Sequence, residues 1–214
     1  MAPPATCKAI QAPIASEWAV ATRSHAFLRD VNSGGISAAR FNTWLAQDYL
    51  YVRKFTRMLA GMMATCPEHH LDVLLSGIAA IDVEVNWFKA KAKERGIDLA
   101  ATAMQPACQE YAAFLATLGA EPYAVQAAVF WAMEAIYNQA WTGVGEGLAN
   151  PQFQEFSDRW GNAGFAVYVS DLERQADEAL AAADDAARAA ADAAVRRAVE
   201  LELAFWNMAY AGDA

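Results

Sequence analysis

Three carboxylates in this sequence stand where a helix should be apolar: Asp48, Glu134 and Glu202. At 3.6 residues per turn, Phe41, Trp44, Leu45, Tyr51, Val52 and Phe55 share one stripe, and Asp48 lies on it between Trp44 and Tyr51. Glu134 shares a side with Phe130, Tyr137 and Asn138, and Glu202 is followed by Phe205 and Trp206 three and four residues on. Removing an ionised carboxylate from water costs on the order of several kcal/mol, so a fold keeps one inside only against a partner or a ligand. One such acid reads as a structural group bonded to a nearby hydroxyl or amide. Three on separate helices would each need a partner in the same core, and a shared polar pocket explains them together. Tyr51 one turn from Asp48, Tyr137 one turn from Glu134, and Tyr111 and Tyr168 from other helices supply aromatic walls for it. Taken singly these tyrosines read as core; as a set, core and pocket stand level. Aromatic walls with a few convergent polar groups suit a small flat ligand. Desolvation and like charge push a carboxyl in such a setting toward its protonated form, which suits general acid–base work near neutral pH.

The elements that must position these residues are helices. At 214 residues the chain suits one domain, a Pro-containing leader over 1–13 followed by a helical domain over 14–214. Its 56% apolar content is weighted to alanine, a helix former with little to bury. The first amphipathic helix is expected from about Ile14 to Asp30, stopped by Asn32-Ser33-Gly34-Gly35. Ser37 caps the helix holding Asp48, which runs to Cys66-Pro67, and a third helix spans about Glu68 to Glu94 with Gly96 as its stop. Pro106 opens a fourth, ended by Gly119. Glu121-Pro122 opens a fifth, weakened by Gly143, Gly145 and Gly147. A helical turn over 151–160, a run from Phe165 to Ala182, and a restart at Asp184-Asp185 reaching about Tyr210 complete an all-α bundle of seven to eight helices. A net charge of −9 without a Lys/Arg cluster argues against nucleic acid, and no window is long and apolar enough to span a membrane. The amino terminus shows no secretory pattern, so a cytoplasmic address is expected. Cys7, Cys66 and Cys108 lack Cys-x-x-Cys spacing and suit neither a disulfide framework nor a zinc knuckle; Cys66 and Cys108 read as buried, inert thiols.

The motifs resemble those of the TenA family of aminopyrimidine hydrolases, also called thiaminase II. The resemblance is carried by Trp18, His25-Ala-Phe27-Leu28, Gly35-Ile-Ser, Phe41-x-x-Trp-Leu-x-Gln47-Asp48-Tyr49-x-Tyr51, Phe55-x-Arg57 and Glu202-x-x-Phe205-Trp206-x-Met208-Ala209, nearly the whole chain. It implies a haem-oxygenase-like all-α fold, a homotetramer, no cofactor, and hydrolysis in salvage of the thiamine pyrimidine. The family's pyrimidine-holding aspartate falls on Asp48 and its neighbouring tyrosine on Tyr51. Its late acid/base falls on Glu202, and its ring-lining tyrosines fall on Tyr111 and Tyr168. Many members carry a nucleophilic cysteine in the fifth helix, where this chain reads Ala128-Val129-Phe130-Trp131; it looks like the branch without that cysteine and with a nearby glutamate, Glu134. That points to aminomethyl- or formylaminomethyl-pyrimidine as substrate before thiamine itself, with Glu134 positioning water.

Two other readings compete. A pyrimidine-binding protein without turnover would keep the pocket but would not require Glu202 to be ionisable. A metal-dependent oxidase on a related bundle wants Glu-x-x-His pairs. The chain has only His25, His69 and His70; the last two read as a solvated first turn and His25 as a polar contact at a helix end, so no metal is expected.

Overall fold

Helix α7 (Tyr123–Gly145) is mostly apolar, and sixteen of its 23 residues are buried, with Gln139 and Thr142 left exposed. A helix with so narrow a polar strip must be covered on most of its sides. In the computed structural model, which describes residues 2–212, ten α-helices and no strand occur among those residues. They fold as two compact units, each built from segments distant in sequence.

The first unit takes the residues up to Ile36 together with Pro122–Trp206. Here α7 is covered by α9 (Ala163–Ala182), α8 (Gln154–Trp160) and α3 (Ala26–Ser33). Side chains tie α7 to α8: Asn138 donates to the Trp160 carbonyl at 2.7 Å, and the Ser157 hydroxyl to the Trp141 carbonyl at 3.1 Å. Gly161, just after α8, is required by proximity; a Cβ there would lie 2.8 Å from both Ser157 O and Thr142 N, backbone atoms that cannot swing away. Asn162 caps α9 by accepting from Phe165 N at 2.9 Å, and Asp184 caps α10 (Asp185–Tyr210) by accepting from Ala187 N at 2.8 Å. The acidic restart read at Asp184-Asp185 is that cap.

The expected first helix is broken in two places. Helix α2 (Ala15–Ala19) gives way to a π-helical turn over Val20–Ser24, in which the Thr22 hydroxyl donates to Trp18 O at 2.8 Å and His25 N to Val20 O at 3.0 Å. His25 is extended, with ψ 141°, and its Nδ1 accepts from Phe27 N at 3.1 Å to start α3. The apolar spacing of Trp18, Thr22, His25 and Leu28 continues through the break, so periodicity alone does not reveal it. His25 is the helix-end contact that its position suggested. Within the stretch expected as a leader, helix α1 (Cys7–Gln11) buries Cys7 and Ile10, and Cys7 N donates to Asp177 Oδ1 at 2.7 Å.

The second unit takes Ser37–Glu121 together with the residues from Asn207 on. It is organised on α4 (Ala38–Met63), against which α5 (Leu71–Glu94) and α6 (Pro106–Leu118) pack. Ser37 caps α4 by accepting from Arg40 N at 3.2 Å. The expected stripe is the buried face: Phe41, Trp44, Leu45, Asp48, Val52 and Phe55 are all buried. The end of α10 is seated in this unit by the Arg40 guanidinium, 4.1 Å above the Tyr210 ring. His69 and His70 lie in a 3-10 turn over Glu68–His70; His69 is exposed but His70 is buried, which corrects the expectation of a solvated pair. At three residues per turn, consecutive side chains point about 120° apart, so one of two adjacent histidines turns inward.

Candidate active site

In the second unit, Asp48 is 2% exposed on α4. One turn on, the Tyr51 ring lies 4.7 Å from that of Tyr111 on α6, tilted by 49°. Tyr111 is fully buried and Tyr51 partly so. Gln47, next to Asp48, fixes the segment leading into α6: its amide donates to Ala103 O at 2.9 Å, and its carbonyl accepts from Gln105 N at 2.8 Å. Gln47 belongs to the Gln-Asp-Tyr-x-Tyr motif, but its clamp on a segment more than fifty residues away is not legible there. Nor is the closeness of Cys108. Its thiol, directed to the Gln47 carbonyl at 3.5 Å, is pushed up to about 12 by burial first and the Asp48 carboxylate second, with Lys54 opposing.

In the first unit, Glu202 is 4% exposed on α10. Trp206, one turn on, stands between Phe27 (centroids 5.2 Å, planes 18° apart) and Tyr137 (5.9 Å, 11°). Its indole N–H donates to Ala21 O, inside the π-helical turn, at 3.0 Å. The backbone bearing Glu202 is therefore held by two stacked rings and a hydrogen bond, and Tyr137 is braced in turn by the edge of Trp160 at 5.2 Å. Glu134 and Tyr137 are partly buried on α7. Tyr168 on α9 carries a buried phenol oxygen with no hydrogen-bond partner among the described residues, and its ring meets Phe130 edge-on at 6.4 Å. Burial, followed by the Glu134 charge, raises its ionisation well above the usual tyrosine range. A buried, neutral phenol keeps its hydrogen-bond donor.

The structure thus groups Asp48, Tyr51 and Tyr111 in one unit, and Glu134, Tyr137, Tyr168 and Glu202 in the other. Against this geometry, the sequence model of the TENA/THI-4/PQQC family matches residues 12–212. The chain belongs to that family.

Among its relatives in the family, a Glycine max protein named "probable bifunctional TENA-E protein" is 33% identical over 198 residues, covering 88% of this chain and 86% of that one. A TenA homologue from Pyrococcus furiosus superposes with a TM-score of 0.90 at 25% identity, over 95% of this chain and 98% of that one. A Silicibacter protein described as a TenA family transcription regulator superposes at 0.85 with 18% identity over 95% and 96%, a likeness of fold alone. TenA proteins thus share the all-α architecture of this family member.

The cysteines of this TenA-family chain differ among themselves. Cys7 and Cys108 are fully buried, whereas Cys66 is only half-buried, which corrects the reading of Cys66 as an enclosed thiol. Burial and the neighbouring Asp177 raise the Cys7 thiol far above the usual range.

Proposed function

We propose that this chain hydrolyses the carbon–nitrogen bond of a thiamine-derived aminopyrimidine, converting an aminomethyl- or formylaminomethyl-pyrimidine to hydroxymethylpyrimidine in salvage of the thiamine pyrimidine. The observation that carries this reading is the burial of Asp48 and Glu202, 2% and 4% exposed, each one turn from an ordered aromatic ring. Family membership supports it, and so does the TENA-E name of the Glycine max relative.

Asp48 accepts two charge-assisted bonds along the amidine edge of the 4-aminopyrimidine and so favours the protonated ring. That ring draws electrons from the 5-methylene carbon. Glu202 gives its proton to the departing nitrogen as the C–N bond breaks. As a carboxylate it then takes a proton from the water whose oxygen forms the new C–O bond. For an aminomethyl substrate, water is consumed, ammonia leaves and Glu202 ends protonated. Glu134 orients the water. Tyr51, Tyr111, Tyr137 and Tyr168 wall the ring. No step uses a thiol, a metal or a cofactor. The assembly proposed is a homotetramer, checked by analytical ultracentrifugation.

Ammonia release from an aminomethylpyrimidine tests the reading. A pyrimidine that binds in calorimetry yet yields no ammonia would overturn hydrolysis and leave a binding protein; a pyrimidine that does not bind would overturn both.

A further inference from the structure

Helix α4 carries Arg53, Lys54 and Arg57 exposed, and all three line one open groove of about 640 Å³ beside α5. Apart from Thr56 its other walls are apolar, with Leu50, Ile81, Val85 and Met104 among them, and its single carboxylate is Asp82. A second groove, of about 540 Å³, meets the first at Lys54, Arg57 and Met104. Its floor is made of small residues such as Gly61, Ala112 and Ala116.

These cations differ from several others in the chain, while Arg29, Lys89 and Lys93 likewise pair with no carboxylate among the described residues. Lys8, Arg23, Arg174, Arg188, Arg196 and Arg197 each hold a carboxylate within 3.5 Å. Among the described residues, Arg53, Lys54 and Arg57 hold none, although the net charge is −9 and acids outnumber bases. Arg53 only overhangs the Tyr49 ring, at 5.8 Å. Arg53 and Arg57 are one turn apart, where like charges destabilise a helix. Breaking a local rule without a local partner is the pattern expected of a binding surface. Two guanidinium forks and an ammonium suit the oxygens of a phosphate, and the volume falls within the roughly 300–1,000 Å³ usual for small-molecule sites.

We propose that this groove binds a phosphate-bearing small molecule with an apolar body. None of the residues assigned to hydrolysis lines it, so it is a second site. The phosphate lies against Arg53, Lys54 and Arg57, and the body against Leu50, Ile81, Val85 and Met104.

Calorimetry of the intact chain with phenyl phosphate, inorganic phosphate and phenol tests this without reference to turnover. Phenyl phosphate is expected to saturate, inorganic phosphate to bind several-fold more weakly, and phenol not to bind. The phenyl phosphate affinity should fall several-fold between roughly 50 and 200 mM salt, as exposed charges are screened. Lys54→Gln/Arg57→Gln should weaken phenyl phosphate at least tenfold, and Asp82→Asn should tighten it. No binding of phenyl phosphate at millimolar concentration overturns the site, as does unchanged affinity in the double variant. Equal affinity for inorganic phosphate overturns the apolar subsite. If the double variant does not fold, Arg53→Gln and Asp82→Asn, expected to shift affinity in opposite directions, decide the matter alone.

Discussion

Asp48 and Glu202 are buried alike but are assigned different work, and amide substitution separates them. Glu202→Gln removes the exchangeable proton and keeps the shape, so turnover of an aminomethylpyrimidine should fall about 10²-fold or more with affinity nearly retained. Turnover at the parent rate would make Glu202 structural. Asp48→Asn replaces a charge-assisted acceptor by an amide and should weaken the pyrimidine about tenfold in calorimetry; unchanged affinity would take Asp48 out of the site. The thiols form the third test at this scale. With Cys108 ionising only at about 12, iodoacetamide at pH 8 should label Cys66 and spare Cys108 in the native protein. Replacing Cys7, Cys66 and Cys108 together should keep hydrolysis within a few-fold of the parent. Linkage gives a further check: both states hold the Cys108 proton below pH 9, whereas between 9 and 12 the unfolded thiol ionises and the folded one does not. Stability therefore falls with rising pH across that window, and Cys108→Ala should melt with a shallower decline. Asp48 was legible because a carboxylate interrupts an apolar stripe. Its effect on Cys108 was not, since sixty residues of sequence separate them.

At the scale of elements, the starts were legible and the breaks were not. Ser37, Pro106, Pro122 and Asp184 mark helix starts by chemistry local to each. The π-helical turn at Val20–Ser24 leaves no such mark, because Thr22 bonding back to Trp18 is a contact that ordinary helices also make, and Ala21 receives Trp206 from 185 residues away. Trp206→Phe keeps the stack between Phe27 and Tyr137 but loses the N–H to Ala21 O. The cost should be about 1 kcal/mol, lowering Tm by roughly 2–4 °C for a chain of this size, whereas Trp206→Ala should cost about 3–5 kcal/mol. Equal melting of Trp206→Phe and the parent would show that the stacking alone holds the helix. Gly161→Ala meets backbone on two sides and should destabilise by about 1–3 kcal/mol although its φ of −91° is ordinary.

For the whole molecule, the helical class followed from alanine content and period, but the sequence boundaries of the two units did not, since neither unit is continuous in sequence. Native-state hydrogen exchange should show α1–α3 opening together with α7–α9, and α4–α6 as another cooperative group. Exchange of α3 in step with α4, its neighbour along the chain, would contradict that grouping. The interleaving also orders events on the ribosome. The first 36 residues bury Cys7, Ile10, Trp18 and Phe27 within a unit whose remaining segment starts at Pro122, so 85 residues must be made in between. At roughly 5–20 residues per second, that leaves the amino-terminal segment waiting about 4–17 s with apolar side chains bare. Nascent chains of this protein are thus open to chaperones and proteases along the segment up to Ile36 until its later partner segment is made.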